Sequence, residues 1–461
     1  MKTERAALLL FVFAAFVLPR SVTATDQNVI AQIQHTLDDY LAQRHEIEGI
    51  SAVYLHVDLG DPGPVIEAYS GSSGLRDNAP INGDTLFQIG SNTKHFEAAL
   101  ILKLEAAGKL DINQTLGDWL PEYPAWSRVT IRQLLNMTSH IPNYSETAAI
   151  GEIVASDLDH QFTNRELVKA AYPSADNRLP APSGWFYSNT NNILAALIIE
   201  KASGSSLERA FESEFRRIGL HNTFYADGRY PEAVLARVPA GLYKNAACLS
   251  YQPTPCERST LAPLIGKDMR LQNLSWAGGA GAIVSNPRDL AKWVRALFGG
   301  RVIPPRQLAE MQRLVSQKTG AAVDQATEKE PAFGLDIVQA YKADFGGLFW
   351  FYQGTTLGYR CIFAYWPQYD LVLTVAANSQ PPEGEDQLGD FVLRKVLRIL
   401  TMPGSSPRQR RPGGREVGTH LHTRCLQRVV ALAGTECSAA KLLIGGALPP
   451  RSASSRSGPL H

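Results

Sequence analysis

The sequence predicts an α/β fold: one antiparallel sheet drawing strands from both ends of the chain, flanked by terminal helices, with a mostly helical subdomain inserted between. Three observations carry this. A helix-period stretch and two short β-prone runs open the chain. Its long middle alternates short helical patterns with Pro, Gly, Asn and Ser punctuation. Four β-prone runs and a helix follow. Early and late strands then have to share one sheet, since a sheet must bury a face against other layers.

The elements follow in order. Val29, Ile30, Ile33, Leu37, Leu41 and Ile47 recur at close to helical spacing. Gly49–Val57 and Val65–Tyr69 flank Gly60-Asp61-Pro62-Gly63, which predicts a hairpin. Phe96–Ala107 is an Ala- and Leu-rich helix closed by Gly108. Val129–Met137, Asn191–Ala202 and Leu207–Arg217 are the clearest helices of the middle. Asn286 caps the next one, with Pro287 in its first turn and Asp289 three residues after the cap. Phe333–Val338, Gly347–Gln353, Tyr359–Trp366 and Leu371–Ala377 read as successive strands, and Asp386–Leu400 as a final helix.

Composition narrows the function. Of 461 residues, 44% are hydrophobic and 19% charged, which suits a globular chain able to bury a large core. The formal net charge is +1, which points away from nucleic acid as a partner. At the N-terminus, Lys2 and Arg5 precede the 13-residue apolar run Ala6–Leu18, and Val22-Thr23-Ala24 offers small residues for cleavage. That reads as a signal peptide over residues 1–24 and predicts a secreted or periplasmic protein. Thirteen residues make a helix of about 20 Å, too short for a membrane span, and no later segment suits one. The main domain is expected over 25–401. Residues 402–461 carry nine basic and two acidic residues and read as a basic, disordered tail. Cys248 and Cys256 lie in a loop-like stretch where a disulfide is plausible, and Cys361 reads as a buried thiol. No cysteine has zinc-ligand spacing, so neither metal nor cofactor is expected.

The chemistry concentrates at Ser91-Asn92-Thr93-Lys94, which follows Leu86-Phe87-Gln88-Ile89-Gly90 and opens a helix. Residues three apart share a helix face, so Lys94 can serve Ser91 as a base if burial lowers its pKa. The helix start also aims backbone N–H groups at a developing oxyanion. Further on, Pro182-Ser183-Gly184-Trp185-Phe186-Tyr187-Ser188-Asn189 supplies a phenol able to relay a proton and an amide able to meet a substrate or Lys94.

Together with Leu104–Leu110, Ile131–Ser139 and Ala277–Gly281, these segments resemble the serine β-lactamase-like and penicillin-binding family, over roughly Val29–Leu400. That family includes class C β-lactamases, D-peptidases and related esterases. The chain departs from it at Asn136-Met137 and at His140, where members usually carry Thr-His and Gly. The resemblance implies a β-lactamase/transpeptidase-like fold and acyl-enzyme hydrolysis with Ser91, Lys94, Tyr187 and Asn189 as catalytic residues.

The family's third motif, a Lys or His followed by a small residue and Gly, has two candidates. Lys318-Thr319-Gly320 fits the letters but sits in polar, loop-like surroundings and precedes Phe333-Gly334-Leu335, against the family order. Tyr352-Gln353-Gly354-Thr355 has the right context at the end of an apolar strand. There Tyr352 replaces the cation that pairs with a substrate carboxylate. Family esterases carry aromatic residues at this place, so the resemblance leans toward esters or neutral amides. It also implies an oxyanion hole from the N–H groups of Ser91 and Thr355, with Gly354 beside them. His95, His140 and His221 lack a nucleophile-elbow context and read as structural or surface residues. The expected activity is a secreted, esterase-like serine hydrolase acting on a small-molecule ester, amide or peptide. The rivals are a D-amino-acid peptidase or β-lactamase, and an inactive binding or scaffold protein on this fold.

Overall fold

The computed structural model describes residues 24–61, 63–174, 181–244, 260–380 and 388–401. Helix α1 (Ala24–Glu48) leads into β1 (Ala52–Asp58) and β2 (Val65–Gly71), which pair as an antiparallel hairpin. A short strand β3 (Phe87–Gln88) precedes helix α2 (Thr93–Ala106) and pairs with β4 (Val284–Ser285). The late strands are β5 (Leu314–Ser316), β6 (Ala322–Val323), β7 (Ala332–Phe333), β8 (Val338–Lys342), β9 (Gly347–Thr355), β10 (Arg360–Trp366) and β11 (Leu371–Ala377).

Among the described residues, nine strands form one sheet in the order β2-β1-β11-β10-β9-β8-β7-β5-β6. Strands from both ends of the chain thus share one sheet, as the sequence predicted, and the N-terminal hairpin lies beside the last strand, with His56 opposite Thr374. Nearly every residue of β1 and β11 is buried, so both faces of the sheet centre are covered. α1 packs on one face through Arg360, whose guanidinium donates to Tyr40 Oη and, at 2.7 Å, to Glu48. Glu48 also accepts from Arg44 at 2.6 Å and from Ser379 at 2.8 Å, so the carboxylate of this buried pair is well bonded. The helix Pro287–Phe298 and α2 cover the other face, where Phe363 meets His95 edge-on. The Asn286 side chain caps the Pro287–Phe298 helix by accepting from Asp289 N.

Three expected elements come out differently. Phe333–Val338 is not one strand: β7 and β8 are separated by a turn with Asp336 at φ +52°, whose N–H donates to Leu135 O. The backbone turns inward there and carries a fully buried carboxyl. The helix over Val129–Met137 is only Ile131–Leu135, opened by a Thr130/Gln133 capping box and ended at Asn136 before Met137 takes φ +63°. The final helix opens as a π-helical segment, Leu388–Leu393, before Arg394–Thr401 continues as α-helix.

The proposed signal segment before Ala24, the tail 402–461, and Cys248 and Cys256 lie outside the described residues. Cys361 is a buried free thiol. Among the described residues, no helix is long and apolar enough to cross a membrane.

Candidate active site

Ser91 stands in a 3₁₀ turn, Gly90–Asn92, wedged between β3 and α2. The neighbouring letters of its motif fix that turn. Gly90 takes φ +51°, a conformation that disfavours a side chain. Asn92 is wholly buried and donates to Ile89 O at 3.1 Å and Cys361 O at 2.9 Å. Thr93 Oγ1 donates to Gly90 O and accepts from Ile283 N. The turn is thereby tied to β10 and to the segment before β4.

Ser91 is partly exposed, and two side chains converge on its oxygen. Lys94 Nζ lies 3.1 Å from Ser91 Oγ and donates to Ala280 O at 2.5 Å. Tyr187 Oη donates to Ser91 Oγ at 2.8 Å. Lys94 is fully buried, and loss of hydration pushes its pKa down to about 7. A neutral amine one hydrogen bond from a serine can take its proton. Lys94 Nζ also sits 5.1 Å from the centre of the Tyr187 ring.

The segment bearing Tyr187 is held by Phe186 N donating to Met137 O and by Ser188 Oγ donating to Pro142 O. His140, in the place where relatives usually carry Gly, has φ +58°, and its Nε2 lies 3.1 Å from Gly184 O. Asn189 opens the helix Asn189–Ser203 and bonds Ser145 Oγ at 2.9 Å through its Nδ2. It therefore stands beside the site without reaching Lys94, whose hydrogen bonds go to Ser91 and Ala280.

The two third-motif candidates occupy different places. The end of β9 lies against the serine turn: a Cβ at Gly354 would collide with Ile89 O and stand 2.6 Å from Ser91 N. One at Gly90 would stand 2.6 Å from Thr355 N. Only glycine at both positions permits so close an approach. Tyr352, two residues before Gly354 on β9, is sunk to 3% exposure and stands edge-on to His95 and to Phe333. Lys318 sits on the turn between β5 and β6, with its side chain 68% exposed and its Nζ 3.6 Å from Glu330. The backbone of that turn nonetheless abuts Gly184, which puts it on the rim rather than remote from the site.

His95 is buried against Phe96, Trp293 and Phe363, accepts from Trp293 Nε1 at 2.9 Å, and is held neutral by burial, its pKa lowered to about 3. It is a core residue, and His221 is exposed. Among the described residues, no group of His, Cys, Asp or Glu is arranged to hold a metal ion.

A buried cluster beneath Lys94 is absent from the sequence reading. Glu97, one turn further along α2, joins Asn192 and Asp336, and all three are fully buried. Asn192 Nδ2 donates to Glu97 Oε2 at 2.8 Å and to Asp336 Oδ2 at 2.9 Å. The sign available in the sequence was a carboxylate one turn after Lys94, at the start of the apolar stretch Ala98–Leu102.

Comparison with known proteins finds relatives and structural neighbours of this chain. Penicillin-binding protein 4* of Bacillus subtilis is 33% identical over 174 residues, covering 37% of this chain and 36% of that protein. Esterase EstB of Burkholderia gladioli is 27% identical over 218 residues, covering 43% of this chain and 52% of that protein. The chain thus spans between about a third and a half of these relatives' length. The crystal structure of a D-stereospecific amidohydrolase from Streptomyces sp. superposes with a TM-score of 0.61 at 26% identity, covering 80% of this chain and 97% of that one. The family model described as Beta-lactamase matches residues 37–398. This chain belongs to the Beta-lactamase family.

Proposed function

We propose that this chain is a serine hydrolase working through an acyl-enzyme, with Ser91 as nucleophile and Lys94 as its base. The observation that carries the reading is the pair of short contacts on Ser91 Oγ, from a wholly buried Lys94 and from Tyr187. Ser91 Oγ attacks the acyl carbonyl while its proton passes to Lys94 Nζ. The N–H groups of Ser91 and Thr355 stabilise the oxyanion. Tyr187 delivers a proton to the leaving group and recovers one from Lys94. Water then cleaves the acyl-enzyme by the same route in reverse. Asn189 contributes from the rim by holding the substrate amide or ester.

The preferred substrates are uncharged esters or amides. Tyr352 offers no charge to a substrate carboxylate, and Lys318 is engaged by Glu330. A relative named as an esterase and a structural neighbour named as a D-stereospecific amidohydrolase support that class. Export follows from the N-terminal segment Met1–Ala24, and N-terminal sequencing of the mature protein tests it.

Intact-mass analysis after incubation with a short-chain ester, a penicillin and a D-alanyl dipeptide is the direct test. The ester is expected to leave an acyl adduct on the peptide containing Ser91. An adduct formed with the penicillin alone would reverse the substrate assignment, and adducts only on other residues would remove Ser91 as nucleophile.

Restoring a basic side chain tests specificity. Tyr352→His is expected to raise turnover of carboxylate-bearing substrates relative to neutral esters by about tenfold, since a charge-assisted hydrogen bond contributes roughly 1.5–3 kcal/mol. Lys318→Ala is expected to change neither. Loss of activity in Lys318→Ala, with Tyr352→His silent, would make Lys318-Thr319-Gly320 the working third motif.

A further inference from the structure

The carboxyl cluster beneath Lys94 is too costly to be packing alone. Glu97, Asn192 and Asp336 come from three separate elements and are all shut off from solvent. One amide NH₂ group serves both carboxyls. Glu97 Oε1, Asn192 Oδ1 and Asp336 Oδ1 are buried with no hydrogen-bond partner among the described residues. Two adjacent ionised carboxylates would repel each other and leave several acceptors unmet, so the pair is best satisfied by retaining a proton. Space is made for it: a Cβ at Gly279 would collide with Glu97 Oε1, next to the Ala280 carbonyl that receives the Lys94 hydrogen bond.

We propose that Glu97 and Asp336 are positioning residues for Lys94. Tied through Asn192, they carry at most one negative charge at neutral pH and place it beneath the amine, setting the pH at which Lys94 can take the Ser91 proton. The charge stabilises the ammonium formed in that transfer, while the retained proton keeps the pair from holding Lys94 permanently charged. Both carboxyls act on Lys94 through space in the direction that favours its ammonium. Burial and mutual repulsion push Glu97 well above the carboxylate range, and burial raises Asp336 to about 8, close to Lys94 itself.

Other titratable groups around the cluster are Tyr187 above Lys94, Tyr144, whose phenol is raised by burial and by Glu97, and Tyr225, raised by burial and then by Asp227 and Tyr230 ahead of Glu97. Farther along α2, Lys103 pairs with Glu214, and Glu105 is bonded by Gln307 and Ile112 N. His95 faces Trp293 on the other side of the helix.

The proposal rests on Lys94 being the base for Ser91, and its test separates the two ideas. The rate at which a fluorophosphonate labels Ser91 is measured against pH in the unmutated chain and in the double variant Glu97→Gln/Asp336→Asn. In that reaction Ser91 Oγ bonds to phosphorus, fluoride leaves, and the serine proton passes to Lys94. Labelling rises with pH as Lys94 loses its own proton. Removing both carboxyls takes away the charge beneath the amine and is expected to move that rise to lower pH by about one unit. It also lowers the rate above the rise, because a weaker base accepts the proton less readily. A packing role alone would change the melting temperature and leave the rise where it was.

A rise at the same pH in the folded double variant overturns the proposal. No label on Ser91 in the unmutated chain overturns instead the reading it rests on. Infrared spectra of the unmutated chain give an independent measurement should a variant not fold. The carbonyl stretch of a protonated carboxylic acid is expected to persist at pH 7, where ordinary carboxylates are ionised. Its absence would mean that the pair holds two charges, and the proposal fails.

Discussion

Replacing Ser91 with alanine is expected to lower turnover of every substrate by about 10⁴-fold or more, and Lys94→Met by about 10²–10⁴-fold. The two variants should then part in stability. Burial lowers the folded-state pKa of Lys94 to about 7, far below the ordinary lysine value. The unfolded chain therefore binds this proton more readily than the folded one. The penalty is fully present below pH 7, shrinks as pH rises, and is gone above the unfolded-state pKa. Lys94→Met is accordingly expected to raise the melting temperature, by more at pH 6 than at pH 9, while Ser91→Ala shows no such pH dependence. In the unmutated chain, kcat/KM should climb through about pH 7 as the amine becomes free. Thermal melts at the two pH values check the first claim, and an activity profile with a neutral ester checks the second. A Lys94→Met variant that keeps more than a tenth of the activity, with the climb unmoved, would make Tyr187 the base.

The second large effect is expected from a single methyl group. Gly354→Ala would drive a Cβ into Ile89 O and to 2.6 Å from Ser91 N, so β9 must shift away from the serine turn. Loss of one oxyanion donor costs about 10²–10³-fold in kcat, and that is the expected loss here, with KM for a neutral ester changed much less. β9 remains bonded to β8 and β10, so the sheet should survive. Circular dichroism and a melt separate the outcomes. A folded, fully active Gly354→Ala would show that β9 does not supply the second donor.

The parts of the fold that were legible in the sequence are those where turn residues bracket an unbroken pattern. Leu371–Ala377 is one β-branched, apolar run bounded by Asp370 in a left-handed turn, and it forms β11 over those same residues. The Asn286-Pro287-Arg288-Asp289 start behaves as cap chemistry requires. Phe333–Val338 misled because the run looks like a strand by letters, while Asp336 is drawn inward by partners far along the chain. Those partners explain what was hidden in the site too. Asn192 lies 95 residues from Glu97 and 144 from Asp336, separations at which no local pattern reports contact. Ser91, Lys94 and Tyr187 stood out because their motifs are local, and the structure brings them together. The same letters proposed Asn189 for Lys94, but local order could not show that Ser145 takes its amide.

The pairing of β1 with β11 has a consequence for how the chain is made. His56 and Thr374 face each other across 318 residues of sequence, so this contact is of very high order. Closing so long a loop is entropically slow. At synthesis rates of about 5–20 residues per second, the first hairpin waits roughly 15–60 s for its neighbour to emerge. Throughout that interval β1 presents an open edge and apolar faces whose residues are buried in the finished protein. The nascent chain is thus a natural client for a holding chaperone, and the last strand to be synthesised is the one that ends its vulnerability to aggregation.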